Sequence, residues 1–201
     1  MTTAVYFDNI CYFKTKLSEN DMTYLRSEVN NIQQNFNNLK AGNNTLAGNI
    51  EREYYFSPEV VKLIEPILLP YARTYIDTNR IPVTDTSKLT LSSCWCNFQK
   101  KHEFNPVHQH SGVLSFVIWV NIPYTLEAEH ASTSVKYSNR PVAGCFEFLY
   151  TDVLGTINAH VVPCEKSEEN TLILFHSKMK HSVAPFYTSD EYRITISGNI
   201  E

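Results

Sequence analysis

Between Lys88 and Ile200 the chain repeats one pattern, a short run of β-branched and aromatic residues closed by a polar turn. The runs are Lys88–Gln99, Val113–Pro123, Gly144–Tyr150, Ile157–Pro163, Thr171–Phe175 and Tyr192–Ile200. Such residues favour a pleated backbone, and this many short strands in succession predict an antiparallel sandwich or barrel. The last run alternates, with Tyr192, Ile194 and Ile196 on one face and Arg193, Thr195, Ser197 and Asn199 on the other. A side-chain period of two gives that strand an apolar face and a polar one, the latter either solvated or lining a polar cavity.

The front of the chain reads as helix. Ser18 and Asp21 are spaced as a capping box, and Met22, Leu25, Val29, Ile32 and Phe36 then recur every three or four residues as one apolar stripe. The Asn-rich segment from Asn37 to Asn49 ends this helix as a loop. Ser57-Pro58 starts a second helix, with proline where its missing N–H costs nothing. Val60, Val61, Ile64, Ile67, Leu68, Tyr71 and Tyr75 carry its apolar face, and Pro66 and Pro70 predict a kink or split. With 201 residues, 43% of them hydrophobic, the chain is expected to form one domain (1–201), with 1–87 as mostly helical support and 88–201 as the β core.

Composition narrows the function classes. The net charge is −4, and no basic cluster exceeds pairs such as Lys100-Lys101, so no nucleic-acid partner is expected. The longest apolar stretches are too short to span a bilayer. Cys11, Cys94, Cys96, Cys145 and Cys164 are scattered and odd in number, which fits reduced thiols and a cytoplasmic location.

The chemistry concentrates in His108-Gln109-His110. Asn105-Pro106 just before it pushes the backbone extended, and in an extended chain residues i and i+2 share a face. Two imidazoles so placed can grip one side of a metal ion, and His181 is a candidate to close the site. Three protein ligands leave metal positions open for reaction. Arg193, twelve residues beyond His181, carries the planar fork that pairs a carboxylate bidentately. Its alternative is a surface ion pair with Asp190 or Glu191. His102, His130, His160 and His176 have no such company and read as packing or surface residues.

The stretch Asn105-Pro106-Val107-His108-Gln109-His110-Ser111-Gly112-Val113-Leu114-Ser115-Phe116, followed by Leu174-Phe175, His181-Ser182-Val183-Ala184-Pro185 and Arg193-Ile194-Thr195-Ile196-Ser197-Gly198-Asn199, resembles the 2-oxoglutarate- and Fe(II)-dependent oxygenases. More narrowly it resembles members from marine bacteria and T4-like phages, relatives of prolyl 4-hydroxylases. Asn44-Thr45-Leu46-Ala47-Gly48-Asn49-Ile50 with Glu53-Tyr54 resembles the amino-terminal signature of the phage members.

This resemblance implies a mainly β fold with supporting α, a double-stranded β-helix (jelly-roll barrel) preceded by helices. It implies Fe(II), 2-oxoglutarate and O2, a prime substrate hydroxylated with release of succinate and CO2, and peptidyl proline as one candidate. His108 and His181 match metal ligands, and Arg193 the residue that binds 2-oxoglutarate, with Thr195 placed to help on the same strand face. His110 stands where the wider superfamily has Asp. It is expected to be the third ligand; otherwise water, a halide, Glu127 or Glu129 completes the site. Two other classes account for parts of the pattern: a jelly-roll metal protein such as a zinc hydrolase or cupin, and a phage structural or binding module with a vestigial site.

Overall fold

In the computed structural model, which describes residues 11–79, 81 and 85–201, the strand-forming runs assemble into two facing antiparallel sheets. The elements in chain order are β1 (Phe13–Lys16), α1 (Glu19–Gln34), β2 (Glu53–Tyr55), α2 (Pro58–Asn79), β3 (Leu91–Gln99), β4 (Asn105–His108) and β5 (Leu114–Asn121). They continue with α3 (Leu126–Ala131), β6 (Phe146–Thr151), β7 (Ile157–Val162), β8 (Thr171–His176), β9 (Lys180–Val183) and β10 (Arg193–Ile200). One sheet has six strands in the order β1-β8-β5-β10-β3-β2, and the other has four, β4-β9-β6-β7. Neighbours in both sheets are mostly distant in sequence, and this crossing of connections between two sheets is the jelly roll that the family resemblance implies.

Side-chain alternation sorts the core into two layers. On β8, Leu172 and Leu174 pack outward toward the helices, while Ile173 and Phe175 point between the sheets. On β5, Phe116, Ile118 and Val120 face the helices and Trp119 faces inward. Both faces of these central strands are covered, so they read as nearly unbroken apolar runs. The outer layer is closed by α1 through Met22, Leu25, Val29 and Ile32 and by α2 through Ile64, Leu68, Ala72 and Tyr75. The inner layer joins Trp119, Ile173 and Phe175 to Phe146, Phe148 and Val162 of the four-stranded sheet.

Local signals hold where they were specific. Ser18 Oγ caps α1 by accepting from the Asp21 amide at 3.1 Å, and α2 begins at Pro58. The expected split of α2 does not occur: the helix is continuous from Pro58 to Asn79. Pro66 and Pro70 both lie on its exposed face, where water can serve the backbone groups that lose a partner. The extended stretch after Asn105-Pro106 is β4, whereas β1 and β2 in the front half, and β9, escaped the sequence reading. Each of these three has only three or four residues and no apolar alternation to reveal it. Four cysteines are buried, Cys11 is exposed, and none is paired.

Candidate metal and co-substrate site

The pairing of β4 with β9 sets His108 directly opposite His181. Because β4 is an edge strand, Pro106 removes no ladder hydrogen bond that a neighbour requires. His110 lies just past the end of β4, where its amide donates to Ser177 O at 2.9 Å and its carbonyl accepts from Lys178 Nζ at 3.1 Å. The ring centroids are 4.2 Å apart for His108 and His181, 4.9 Å for His108 and His110, and 5.1 Å for His110 and His181. One ring nitrogen from each of the three lies within 4.8 Å of the others, a grouping that can hold a metal ion.

The backbone sets the tautomers of two of these rings. His108 Nδ1 is 2.7 Å from Pro106 O, and His181 Nδ1 is 2.9 Å from Met179 O. A carbonyl oxygen only accepts, so each Nδ1 carries the proton and each Nε2 presents a lone pair. Burial reinforces this by disfavouring the cationic form. It lowers the pKa of His181 to about 3, helped by the charge of His108, and that of His110 to about 4; His108 is lowered as well. Phe146 stacks on His181 at 5.3 Å and Phe175 meets it edge-on at 4.9 Å, which supplies the apolar surroundings.

Arg193, the first residue of β10, is 1% exposed. Its Nη1 donates to Tyr124 Oη at 2.7 Å and to Gly144 O at 2.9 Å. Its Nε and Nη2 both donate to Gln99 Oε1, and Nη2 also reaches Ala184 O at 3.3 Å. All of these acceptors are neutral. No carboxylate pairs with Arg193 among the described residues, and Asp190 pairs instead with Lys101 at 2.6 Å, so the surface ion pair is not formed. A buried guanidinium without a counter-charge is costly and calls for an anion. Gly144 has φ of +74°, and a Cβ there would stand 2.7 Å from the Tyr124 ring, so glycine lets this carbonyl serve both Tyr124 and Arg193.

His108, His110, His181, Arg193 and Thr195 line one cavity of about 40 Å³, together with Asn97, Gln99 and Trp119. Thr195 Oγ1 accepts from Asn97 Nδ2 at 3.1 Å, leaving its own hydrogen free. His108 and His110 also line a second pocket of about 350 Å³. The sequence reading missed Gln99, Tyr124 and Gly144 as partners of Arg193: strand pairing brings Gln99 there, and the loops on either side of α3 bring Tyr124 and Gly144. Glu129 is not part of this cluster. It is buried and accepts from the amides of Tyr187 at 2.7 Å and Thr188 at 2.8 Å, which ties α3 to the chain before β10. The remaining histidines lie outside the cluster, and His160, for one, meets Tyr12 Oη at 3.3 Å.

A jelly roll with an imidazole cluster and a buried arginine at one cavity is the architecture of a non-haem metal oxygenase. The family model described as "Putative 2OG-Fe(II) oxygenase" matches residues 93–199, and the chain belongs to that family. Membership brings Fe(II) as the metal and 2-oxoglutarate and O2 as co-substrates. No curated protein matches the sequence significantly.

Among solved structures, the chain is similar to a prolyl-4-hydroxylase from Pseudomonas putida, with 14% identity, TM-score 0.54 and coverage of 93% of this chain and 90% of that one. It is similar to AviO1 from Streptomyces viridochromogenes, with 12% identity, TM-score 0.56 and coverage of 92% and 87%. It is also similar to SnoK, a non-heme alpha-ketoglutarate-dependent carbocyclase from nogalamycin biosynthesis, with 13% identity, TM-score 0.53 and coverage of 92% and 77%. At these identities the likeness is one of fold. Among the described residues, no helix is long and apolar enough to cross a membrane.

Proposed function

We propose that this chain hydroxylates a C–H bond of a prime substrate, with His108, His110 and His181 holding Fe(II) and with Arg193 and Thr195 holding the far carboxylate of 2-oxoglutarate. The observation that carries this is a single cavity lined by three imidazoles, two with Nε2 bare, and by one buried guanidinium without a carboxylate. Iron bound there supplies the oxidative decarboxylation of 2-oxoglutarate to succinate and CO2, with one oxygen atom of O2 entering succinate and the other the substrate. The protein's part is to keep the ligands neutral, orient them and exclude water.

Two features shape how the residues work. Three neutral imidazoles cancel none of the metal's charge, so the site favours an anionic co-substrate more than a site with one carboxylate would. The cavity is small, about 40 Å³ against about 350 Å³ for the pocket that shares His108 and His110. Gln99 occupies the Nε–Nη2 edge of Arg193, the edge a carboxylate takes in a bidentate pair. Binding of 2-oxoglutarate therefore has Gln99 turn away and yield that edge. Peptidyl proline is the prime substrate offered by the distant likeness to prolyl-4-hydroxylase.

The test is anaerobic addition of Fe(II) and 2-oxoglutarate, read by the visible charge-transfer absorption of the chelated 2-oxo acid. A band lost in both His181→Ala and Arg193→Ala is expected. Folded protein with excess iron and no band would overturn the reading. A metal-dependent hydrolysis that survives Arg193→Ala would point to the zinc-hydrolase alternative.

A further inference from the structure

The pocket of about 350 Å³ that shares His108 and His110 contains acceptors that the protein leaves unused. Glu53, on β2, is 1% exposed, yet its Oε2 accepts no hydrogen bond among the described residues. Asn105 Oδ1, on β4, is buried and equally without a partner. The nearby cations do not serve Glu53, since both Arg52 and Lys100 pair with Glu51.

The two side chains converge on one place. A Cβ on Gly48 would lie 2.6 Å from Glu53 Oε1 and 3.0 Å from Asn105 Oδ1, so only a residue without a side chain lets the loop lie against both. Gly48 and Glu53 belong to the segment whose sequence stood out in the front half, and the Asn49 amide ties that segment to Phe104 O at 2.8 Å. Trp95 and Tyr55 line the same pocket, with their rings 6.1 Å apart and edge to face. An unpaired buried carboxylate is expensive to maintain in a protein, and aromatic faces attract cations.

We propose that this pocket takes the prime substrate by an organic ammonium group, seated on Glu53 and Asn105 beside Trp95, with a neighbouring C–H bond turned toward His108 and His110. An ammonium has three N–H donors, enough for both Glu53 and Asn105, and the pocket suits a molecule or side chain of amino-acid size. A peptidyl proline carries neither charge nor N–H at its nitrogen and leaves Glu53 as it stands. This inference rests on the oxygenase reading for the reaction, but the binding it describes is independent of metal.

The experiment is calorimetric titration of the metal-free protein with lysine, arginine and butylammonium, using 1-butanol as the uncharged counterpart of butylammonium. At least one cation is expected to bind at least tenfold more tightly than 1-butanol. Glu53→Gln is expected to lose that preference and Glu53→Asp to keep part of it, with melting curves establishing that both variants fold. In the iron-loaded enzyme, a binding cation should raise succinate formation above the level seen with a proline-containing peptide. If no cation binds, or if Glu53→Gln binds it as tightly as the parent, the inference fails. The anaerobic absorption band of the parent protein is scored separately: band present with no cation binding sinks this inference alone, while cation binding without the band sinks the oxygenase reading alone.

Discussion

His108 and His181 face each other across the β4–β9 ladder with ring centroids 4.2 Å apart, and each donates its Nδ1 proton to the carbonyl two residues before it. The same backbone turn is used twice, on opposing strands, to aim two Nε2 lone pairs from fixed tautomers. The ring geometry is thus fixed by the backbone, and under the proposed metal assignment little side-chain freedom would be left to lose on binding.

Removing either ring should cost more in Fe(II) affinity than the ~100-fold at the upper end for losing a ligand's outer hydrogen-bond partner. Anaerobic Fe(II) titration of His108→Ala and His181→Ala, with circular dichroism to establish folding, is the measurement. Near-parental affinity in a folded variant would contradict the ligand assignment.

Arg193→Ala should leave Fe(II) binding intact and weaken 2-oxoglutarate on the order of 100-fold, the scale for losing one partner of a buried charge pair. Arg193→Lys should recover only part of this, because an ammonium lacks the planar fork. The dissociation constant of 2-oxoglutarate, read from the absorption band, decides both.

Gln99 holds the Nε–Nη2 edge of Arg193, the edge that the proposed contact with 2-oxoglutarate would use. Gln99→Ala should tighten 2-oxoglutarate binding by roughly 3- to 10-fold, because the binding-competent arrangement no longer has to displace a protein group. Weaker binding in a folded Gln99→Ala would show instead that Gln99 positions the arginine for its ligand.

The buried imidazoles make the metal-free protein sensitive to acid. His181 titrates at about 3 and His110 at about 4 when folded, against 6.5 when free. Between these values the unfolded chain binds more protons than the folded one. Their contribution is therefore complete above pH 6.5 and is lost as pH falls toward 3. Melting temperatures of the parent should decline over this window more steeply than those of His181→Leu, a comparison in which the shared carboxylates largely cancel.

Glu53 works in the opposite sense. Burial, with the charge of Glu103 adding to it, raises its pKa to about 7 from 4.5. The ionised form thus destabilises the fold above pH 7, and the penalty fades as pH falls toward 4.5. Glu53→Gln should melt higher than the parent at pH 8, by the equivalent of roughly 1–3 kcal/mol, with the difference shrinking toward zero near pH 4.5. An unchanged or lower melting point at pH 8 would mean that Glu53 already has a stabilising partner.

The long β runs, the capped first helix and the polar face of β10 were legible in the sequence because each is written in a local period of two or of 3.6 residues. The pairing of His108 with His110 on one side was legible for the same reason, and the likeness to the oxygenases linked them to His181 and Arg193. What remained hidden depends on which distant strands meet. Gln99 reaches Arg193 because β3 pairs with β10, and Glu53 reaches the pocket because the three-residue β2 adds to the edge of β3. Tyr124 and Gly144 join them from loops on either side of α3. So short a strand has no periodicity of its own and takes its conformation from the sheet it joins. The sequence by itself determined the long strands, the capped first helix and the chemistry that its histidines and arginine resemble. The tertiary structure decided which neutral groups hold the arginine and which carboxylate is left without a partner in the pocket, since only the assembled sheets bring residues so far apart in the chain into contact.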